Sequence, residues 1–255
     1  MNRQLIGQAL RGLAVFFAGV GLAHASSFSV NPVRATLSAK QPVAAITVRN
    51  TNTEPTVVQL ETFAWSQELG QDVLIPSSEV LATPPIFTVP PGGTQIVRIG
   101  LRGARGAKGE LTYRLVLREV PPSNPIQGLR VALRISMPVF VLPAEAVAPE
   151  LKWRATRTAD GKVRVHATNS GTAHVQLGKL EVAAAGSVIG SRNVAEYVLP
   201  GNTRSWTVDA RAAPAAGAKL HISTMTDAGA FQSDVALEVE TAADQGEAAA
   251  ALAAR

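Results

Sequence analysis

The sequence predicts an all-β protein with two β domains, the first of them a β-sandwich, and three observations support this prediction. Short runs of alternating apolar and polar residues recur between Ser26 and Glu240, as expected for strands. No sustained 3.6-residue periodicity, which would indicate a long helix, occurs in that range. Turn residues separate the runs, as in Asn50–Pro55, Val89–Gly93 and Val120–Pro125.

The first domain is predicted from the alternating runs that lie before Pro143. They span Phe28–Leu37, Ala44–Asn50, Val57–Ser66, Val73–Ile75, Thr94–Leu101, Glu110–Val120 and Leu129–Val141. Several short strands with turn signals between them, within one domain-sized segment, favour a β-sandwich. This domain is predicted to cover residues 26–143.

A second, smaller β domain is predicted after a short linker at residues 144–148. Its first two strands flank Asp160-Gly161, a dipeptide that favours a tight hairpin turn. The domain is predicted to cover residues 149–240, and the alanine-rich segment 241–255 to be a frayed tail or a loose helix. Its further strands are predicted at Val175–Ala183, Ser205–Val208, Lys219–Thr224 and Ala230–Glu238.

Residues 1–25 have the features of a cleaved secretory signal peptide. Arg3 and Arg11 precede the apolar run Gly12–Ala23, which ends in Ala-His-Ala before Ser26. A retained membrane anchor is the alternative, but the run is shorter than the roughly 20 residues that span a bilayer. The mature protein is therefore expected to be exported, with no stable membrane insertion.

Composition narrows the possible locations and partners. The chain has no cysteine, so its stability must come from an apolar core, and 46% of its 255 residues are hydrophobic. Export without disulfides suits a bacterial periplasm, although the residues alone leave eukaryotic secretion open. The net charge is +5, and the basic residues are scattered, so no nucleic-acid partner is expected.

Catalytic and metal-binding motifs are absent from the sequence. His166, His174 and His221 lack the spacing of an H-x-H or HExxH zinc site. The sequence also has no cysteine nucleophile, no Gly-x-Ser-x-Gly motif and no phosphate loop. We therefore expect a protein that is not an enzyme and that needs no cofactor or metal.

Three neighbouring segments carry spaced motifs. They read VLATPPIFTVPPGGTQIVRIGL (Val80–Leu101), GELTYRLVLREVPP (Gly109–Pro122) and GLRVALRISMPVFVLP (Gly128–Pro143). Together they resemble the periplasmic chaperones of the chaperone-usher pilus pathway, the PapD-like family. The resemblance implies two immunoglobulin-like domains at an angle, with a cleft between them that holds an incomplete pilus or fimbrial subunit. It also implies delivery of the subunit to an outer-membrane usher, without catalysis.

The apolar row from Leu129 to Val141 is long for one strand. At about 3.3 Å per residue it extends about 40 Å, roughly twice a common strand. The later members, Met137 to Val141, are expected in the protein's own core, and one long core strand is the alternative. The resemblance implies that the front of the row is donated to a subunit as an edge strand: Leu129, Val131, Leu133 and Ile135.

The resemblance also implies two cations that bind the terminal carboxylate of the subunit. Arg34 stands at the family's arginine position, and strand parity places it on the apolar face of the first predicted strand. Pro138 stands where the family has a lysine, and Arg114, on the mixed face of its strand, is the candidate substitute. The alternatives are a surface arginine beyond a kink at Pro32 and a solvated arginine at position 114.

Members of the family carry a charge network between their domains. Glu110 and Asp227 match two of its acidic members, whereas the arginine expected beside Pro143 is Leu142. The network is therefore expected to be incomplete or rewired. A solvated loop position for both acids is the alternative.

Two further questions concern the branch of the family and a rival function. The short connection after Val120 resembles the short-loop chaperones that serve rod-like pili, and the missing lysine and the segment YRLVLREVP resemble the archaic or alternative branches of the pathway. An exported immunoglobulin-like subunit of a surface fibre is the rival, because a fold does not fix a function. Such a subunit lacks a strand and carries a donor extension, whereas here the first predicted strand directly follows the signal.

Overall fold

The computed structural model describes residues 28–102, 108–121, 131–210, 214–241 and 244. The predicted signal peptide at residues 1–25 and Leu129 lie outside these described residues. In the described part of the chain, no helix has the length and apolar character needed to cross a bilayer. The strands of the first domain are β1 (Phe28–Asn31), β2 (Ala35–Ser38), β3 (Val43–Asn50), β4 (Thr56–Glu68), β5 (Gln71–Pro76), β6 (Val80–Thr83), β7 (Ile86–Val89), β8 (Thr94–Leu101), β9 (Leu111–Val120) and β10 (Arg134–Leu142). Those of the second domain are β11 (Leu151–Arg157), β12 (Val163–Asn169), β13 (Val175–Ala184), β14 (Ser187–Val198), β15 (Thr203–Val208), β16 (Lys219–Thr226) and β17 (Gly229–Val239).

The first domain is a sandwich of two sheets. One sheet has the order β1-β3-β8-β6, and the other has the order β2-β10-β9-β4-β5, with β7 also paired to β4. Alternate side chains of both sheets pack into one apolar core, which replaces the disulfides that the chain lacks. Its fully buried members include Leu37, Ile46, Ile99, Leu115 and Leu117.

The first predicted strand, Phe28–Leu37, is divided between these two sheets. β1 pairs with β3 in one sheet, and β2 pairs in parallel with β10 in the other. Pro32 lies in the break, where a residue without a backbone N–H cannot continue a ladder. Arg34 therefore lies in a connection and not on a strand face, so the parity argument for its position is wrong.

β10 is shorter than the row that the sequence predicts, because regular pairing begins only at Arg134. One strand of about 40 Å is therefore wrong. Before it, the carbonyl of Leu133 accepts a hydrogen bond from the N–H of Glu119 at 2.9 Å, and Val131 is 62% exposed. Three residues of the back of the row are buried in the core, as predicted: Met137, Val139 and Val141.

Three strands are absent from the sequence prediction. β6 and β7 have four residues each and flank Pro84 and Pro85, so neither run is long enough to show a period of two. β14 begins the strand order of the second domain, and most of its side chains are exposed or half-buried. A strand without a continuous buried face shows little alternation in its sequence.

The second domain has the strand order β14-β13-β16-β17-β11-β12-β15. β11 and β12 form the predicted hairpin, and Gly161 in its turn has a φ of 80°, a left-handed value that favours glycine. The prediction of a second β domain is therefore confirmed. Its core includes Leu177, Leu180, Leu220, Ile222 and Leu237.

The start of the predicted C-terminal tail is bound to the second domain. Asp244 is 5% exposed, accepts a hydrogen bond from the N–H of Thr241 at 2.9 Å and pairs with Arg154. The hydrogen bond from Arg154 holds the pKa of the Asp244 carboxyl well below its usual range. The other residues of the segment after Thr241 lie outside the described residues.

His166 provides a test of the second domain's packing. Its side chain is buried beside Thr156, with Nε2 3.1 Å from Oγ1, and burial lowers the pKa of His166 from 6.5 to about 4. Between these two pH values the unfolded chain binds a proton that the folded chain does not, so stability should fall as the pH drops from 6.5 to 4. In wild type, His166 should lower the free energy of unfolding by about 3 kcal/mol across this window, and His166→Asn should abolish that decrease. Urea unfolding at several pH values within the window measures it.

The Asp244 carboxyl does not obscure this measurement. Its pKa is lowered from 3.8, so most of the stability that it contributes is lost below about pH 4, and wild type and variant share the part of this loss that falls inside the window. Equal slopes for wild type and variant between pH 6.5 and 4 would show that His166 is not held neutral in the folded state.

Candidate functional site

The two domains meet at a small aromatic cluster. Trp65 of β4, Phe140 of β10 and Leu199 after β14 are buried there, and Tyr197 of β14 packs against them. The ring centroids of Trp65 and Tyr197 are 5.5 Å apart in an edge-to-face arrangement, a favourable geometry for aromatic pairs. Phe140 alternates with the core-facing Val139, so this cluster lies on the outer face of the first domain's sheet.

Gln67 joins the domains through backbone hydrogen bonds beside this cluster. Its side chain is buried, and Nε2 donates to the carbonyl of Tyr197 at 2.9 Å. Its Oε1 accepts from the N–H of Leu199 at 3.0 Å. Both ends of the buried amide are therefore satisfied, which fixes β4 against the end of β14.

A row of polar contacts between acidic and basic residues crosses the same junction. Nη1 of Arg34 lies 2.8 Å from Oδ2 of Asp227, and the same oxygen lies 3.5 Å from Nε2 of His174. Nδ1 of His174 lies 2.7 Å from Oε1 of Glu110, whose side chain is 1% exposed. Arg34 and Glu110 belong to the first domain, and His174 and Asp227 to the second, so the row links the domains twice.

The His174 ring is positioned by stacking as well as by the two acids. It lies nearly parallel to the Phe140 ring, with centroids 3.5 Å apart and an interplanar angle of 5°. Leu142, at the place of the expected family arginine, supplies no cation. The arginine that contacts Asp227 is Arg34.

Arg114 lies on the same outer face, opposite Pro138 in the register of β9 and β10. Its guanidinium carbon is 3.7 Å from the centroid of the Trp65 ring, a cation–π contact. Nη2 of Arg114 lies 3.6 Å from Oδ2 of Asp72. The other oxygen of this carboxylate, Oδ1, lies 2.8 Å from Nη1 of Arg204. Burial lowers the pKa of the Arg114 guanidinium and the Asp72 carboxylate opposes this, so the group remains a cation.

Tyr197 lies near both arginines that the sequence singles out. Burial raises the pKa of its phenol, while the positive charges of Arg34 and Arg114 lower it. The guanidinium carbon of Arg114 is 5.7 Å from the Tyr197 ring centroid. The structure therefore brings Arg34 and Arg114, which are far apart in sequence, to one tyrosine at the junction.

Among the described strands, the front of β10 has a paired neighbour on one side only. β9 pairs with nearly the whole strand, whereas β2 pairs on the other side only from Val139 onward. Within the described residues, no strand pairs with the β2 side of residues 134–138. Leu133 and Ile135 lie partly buried at the rim of the core, and Val131 is exposed.

Metal chemistry has no candidate site in the described ranges, which contain no group of three His, Asp or Glu side chains arranged to hold an ion. His166 is buried in the second domain, and His221 pairs with Asp234 of the same domain at 2.8 Å. What the described part of the junction offers chemically is cations, hydrogen-bond donors and a strand edge that pairs with no other described strand.

Sequence reasoning missed most of the residues that build this junction. Trp65 and Gln67 are at odd positions of β4, whereas its core residues Val58 and Leu60 are at even positions, so Trp65 and Gln67 lie on the outer face of the sheet. A large side chain on that outer face was the sequence feature that could have indicated the junction. Tyr197 lies in β14, which the prediction omitted. His174 has no pattern around it that indicates its two acidic partners.

Comparison with known protein families accounts for this architecture. The PapD N-terminal domain of pili and flagellar-assembly chaperones matches residues 27–146, and the PapD C-terminal domain of pili assembly chaperones matches residues 146–236. The chain belongs to the PapD family of pilus assembly chaperones. Chaperones of this family are periplasmic and non-enzymatic. A search of curated proteins found no significant match.

Solved structures agree with this family assignment. The chain is similar to the CsuC-CsuE chaperone-tip adhesion subunit complex of Acinetobacter baumannii archaic pili, with a TM-score of 0.62, 20% identity, and coverage of 84% of this chain and 100% of that one. It is similar to the SafA pilin–SafB chaperone complex of Salmonella enterica, with a TM-score of 0.57, 19% identity, and coverage of 82% and 96%. For the CupB2 chaperone of Pseudomonas aeruginosa the TM-score is 0.55, with 20% identity and coverage of 82% and 100%. The predicted fold of two immunoglobulin-like sandwiches is confirmed.

Phe140→Leu should loosen the junction of this chaperone without unfolding either sandwich. The variant removes the ring that stacks on His174 but keeps an apolar side chain in the cluster. We expect the free energy of unfolding to fall by about 1–2 kcal/mol and the domains to tumble more independently. Urea unfolding and ¹⁵N relaxation of each domain measure these two effects.

Phe231→Leu is the matched control, because Phe231 packs against the core of the second domain alone. It should lower stability while leaving the tumbling of the two domains coupled. Unchanged coupling in Phe140→Leu would show that the stack does not hold the junction.

Proposed function

We propose that the chain captures pilus or fimbrial subunits along the open edge of β10, holds them in the cleft between its domains and delivers them to an outer-membrane usher. The observation that carries the proposal is the one-sided pairing of residues 134–138, within the described chain, in a strand whose back half is buried. An open edge beside half-buried apolar side chains favours addition of a partner strand. The proposal places this activity in the periplasm, after removal of a signal peptide at residues 1–25.

The donated segment is proposed to be Leu129, Val131, Leu133 and Ile135, of which Leu129 lies outside the described residues. Backbone groups of the open edge supply hydrogen bonds, and alternate apolar side chains fill the groove of a subunit that lacks a strand. The buried back half of β10 keeps the edge extended before a subunit arrives, which lowers the entropy cost of binding.

Arg34 and Arg114 are proposed to bind the terminal carboxylate of the subunit and so to set its register. A guanidinium can bind a carboxylate with two parallel hydrogen bonds, which orients the chain end as well as attracting it. Pro138 can supply no cation from β10, and Arg114 is its cross-strand neighbour on β9. The position of both arginines near Tyr197 supports a shared role.

Glu110 and Asp227 are proposed to serve as an interdomain charge network, with His174 between them in place of the family arginine. Their contacts with one histidine, from two domains, support this role. A subunit held in the cleft needs the two domains at a fixed angle, and buried, paired charges favour one arrangement over others.

The proposed function is binding without catalysis and without a cofactor, metal or nucleic-acid partner. The non-enzymatic character of the family supports this proposal. The rival function of an exported fibre subunit gains no support from the comparisons.

Val131→Glu and Leu133→Glu should each weaken capture of a subunit at least tenfold. Each variant would place a carboxylate in an apolar groove, where it has no partner. The measurement is the dissociation constant of the complex with a pilus subunit encoded in the same gene cluster, after purification of the co-expressed pair.

Ile96→Glu is the matched control, because Ile96 is 53% exposed on β8 of the opposite sheet. It should leave capture unchanged. Normal capture by both the Val131 and Leu133 variants, with circular dichroism unchanged, would exclude donation of this segment.

Arg34→Ala and Arg114→Ala should each weaken capture about 10- to 100-fold, the range expected for a lost charge-assisted hydrogen bond. The matched control is Arg118→Ala. Arg118 lies on the same face of β9 as Arg114, and its Nη2 lies 2.7 Å from Oε2 of Glu61. The same binding measurement checks all three variants.

A subunit extended by two C-terminal glycines separates anchoring from general charge effects. The extended subunit should bind wild type as weakly as the native subunit binds Arg34→Ala. The extended subunit should bind Arg34→Ala with little further loss of affinity. Unchanged capture by Arg114→Ala would remove Arg114 from the anchor and leave Arg34 alone.

A further inference from the structure

The proposed anchor Arg34 already has a partner in the subunit-free structure. Its Nη1 lies 2.8 Å from Oδ2 of Asp227, across the junction between the domains. The side chains are 44% and 23% exposed, so the pair lies at the surface of the cleft and not inside a core. A carboxylate arriving from solvent can therefore reach this guanidinium.

Asp227 does not depend on Arg34 for its other contacts. Its Oδ1 accepts a hydrogen bond from the backbone N–H of Gln176 at 2.8 Å, and its Oδ2 lies 3.5 Å from Nε2 of His174. If Arg34 moved to another carboxylate, Asp227 would keep both partners. Releasing the arginine thus leaves no buried charge unpaired.

Arg34 is also placed for such an exchange by the backbone. It lies between β1 and β2, outside both ladders, and its carboxylate partner belongs to the other domain. A side chain on a short connection can change its partner without breaking a strand pairing.

We propose that Asp227 occupies the anchor in the free chaperone, so that capture is an exchange of carboxylates on Arg34. Asp227 is then a positioning residue: it holds Arg34 across the cleft until the terminal carboxylate of a subunit replaces it and Asp227 falls back on His174 and Gln176. This inference rests on the proposed role of Arg34 in capture. The exchange weakens the binding of apolar strands that have no carboxylate at the matching position. Such a strand would separate Arg34 from Asp227 and offer Arg34 no other acid.

Asp227→Asn tests the exchange, because the amide oxygen can still accept from Gln176 while the competing charge is gone. We expect this variant to bind the native pilus subunit about two- to fivefold more tightly than wild type, since exposed ion pairs shift equilibria by about this factor. In an Arg34→Ala background the same substitution should change nothing. Asp227→Glu, which keeps the charge, should stay close to wild type.

Asp234→Asn is the matched control. Asp234 is also a carboxylate of the second domain that binds a histidine and a basic side chain, with distances of 2.8 Å to His221 and 2.9 Å to Lys219. In the part of the chain that the structure describes, its ion pairs and hydrogen bonds stay within the second domain, and its loss should leave capture unchanged.

Guanidinium NMR of wild type gives a second readout that needs no variant to fold. The Arg34 signal should shift on binding of the native subunit and stay in place with the subunit extended by two C-terminal glycines. An Arg34 signal that does not respond to the native subunit would overturn the exchange.

The outcomes also separate this inference from the proposed function. Equal or weaker binding by Asp227→Asn, or a gain that persists without Arg34, would overturn the exchange while subunit capture by wild type stands. Absence of capture by wild type would instead overturn the proposed function itself.

Discussion

The junction depends on one short interaction, the parallel pairing of β2 with the back half of β10. Four residue pairs, from Ala35–Val139 to Ser38–Leu142, form this ladder, and the break at Pro32 prevents β1 from extending it. The pairing fixes the buried end of β10 in the core, and among the described strands it leaves residues 134–138 with β9 as their single neighbour. An open edge is ordinarily an aggregation risk that folds avoid, so one that is braced from behind indicates use by a partner.

The pairing of β10 with β9 also places a cation, Arg114, at the junction. Pro138 stands in β10 at the position where the family resemblance expects a lysine, and the register puts Arg114 of β9 directly opposite it. Arg114 is stacked on Trp65 and lies near Asp72, so its charge is compensated on a half-buried face. A neighbouring strand thus supplies a cation to the junction at a point where β10 itself carries a proline.

Local sequence patterns predicted the layout of strands better than they predicted the junction. Alternation located Thr94–Leu101 at its observed bounds and identified the buried back of β10, because those faces meet a core within one domain. It failed at Phe28–Leu37, where a proline moves the chain between sheets, and at β14, which has no continuous buried face. The meeting of Glu110, His174 and Asp227 involves residues more than fifty positions apart, and no local period encodes such a contact.

Charge balance at the junction explains why capture there would be reversible. Among the described residues, the guanidiniums of this junction already face acids: Arg34 faces Asp227, and Arg114 and Arg204 share Asp72. An arriving carboxylate replaces an acid that already faces these cations, so part of the ion pairing that it gains is offset by the contact that it breaks. The strand edge and its apolar side chains then add to the binding, while the charges also select the register. A chaperone that must release its subunit benefits from this division, because the contact that sets position is also the one most easily exchanged.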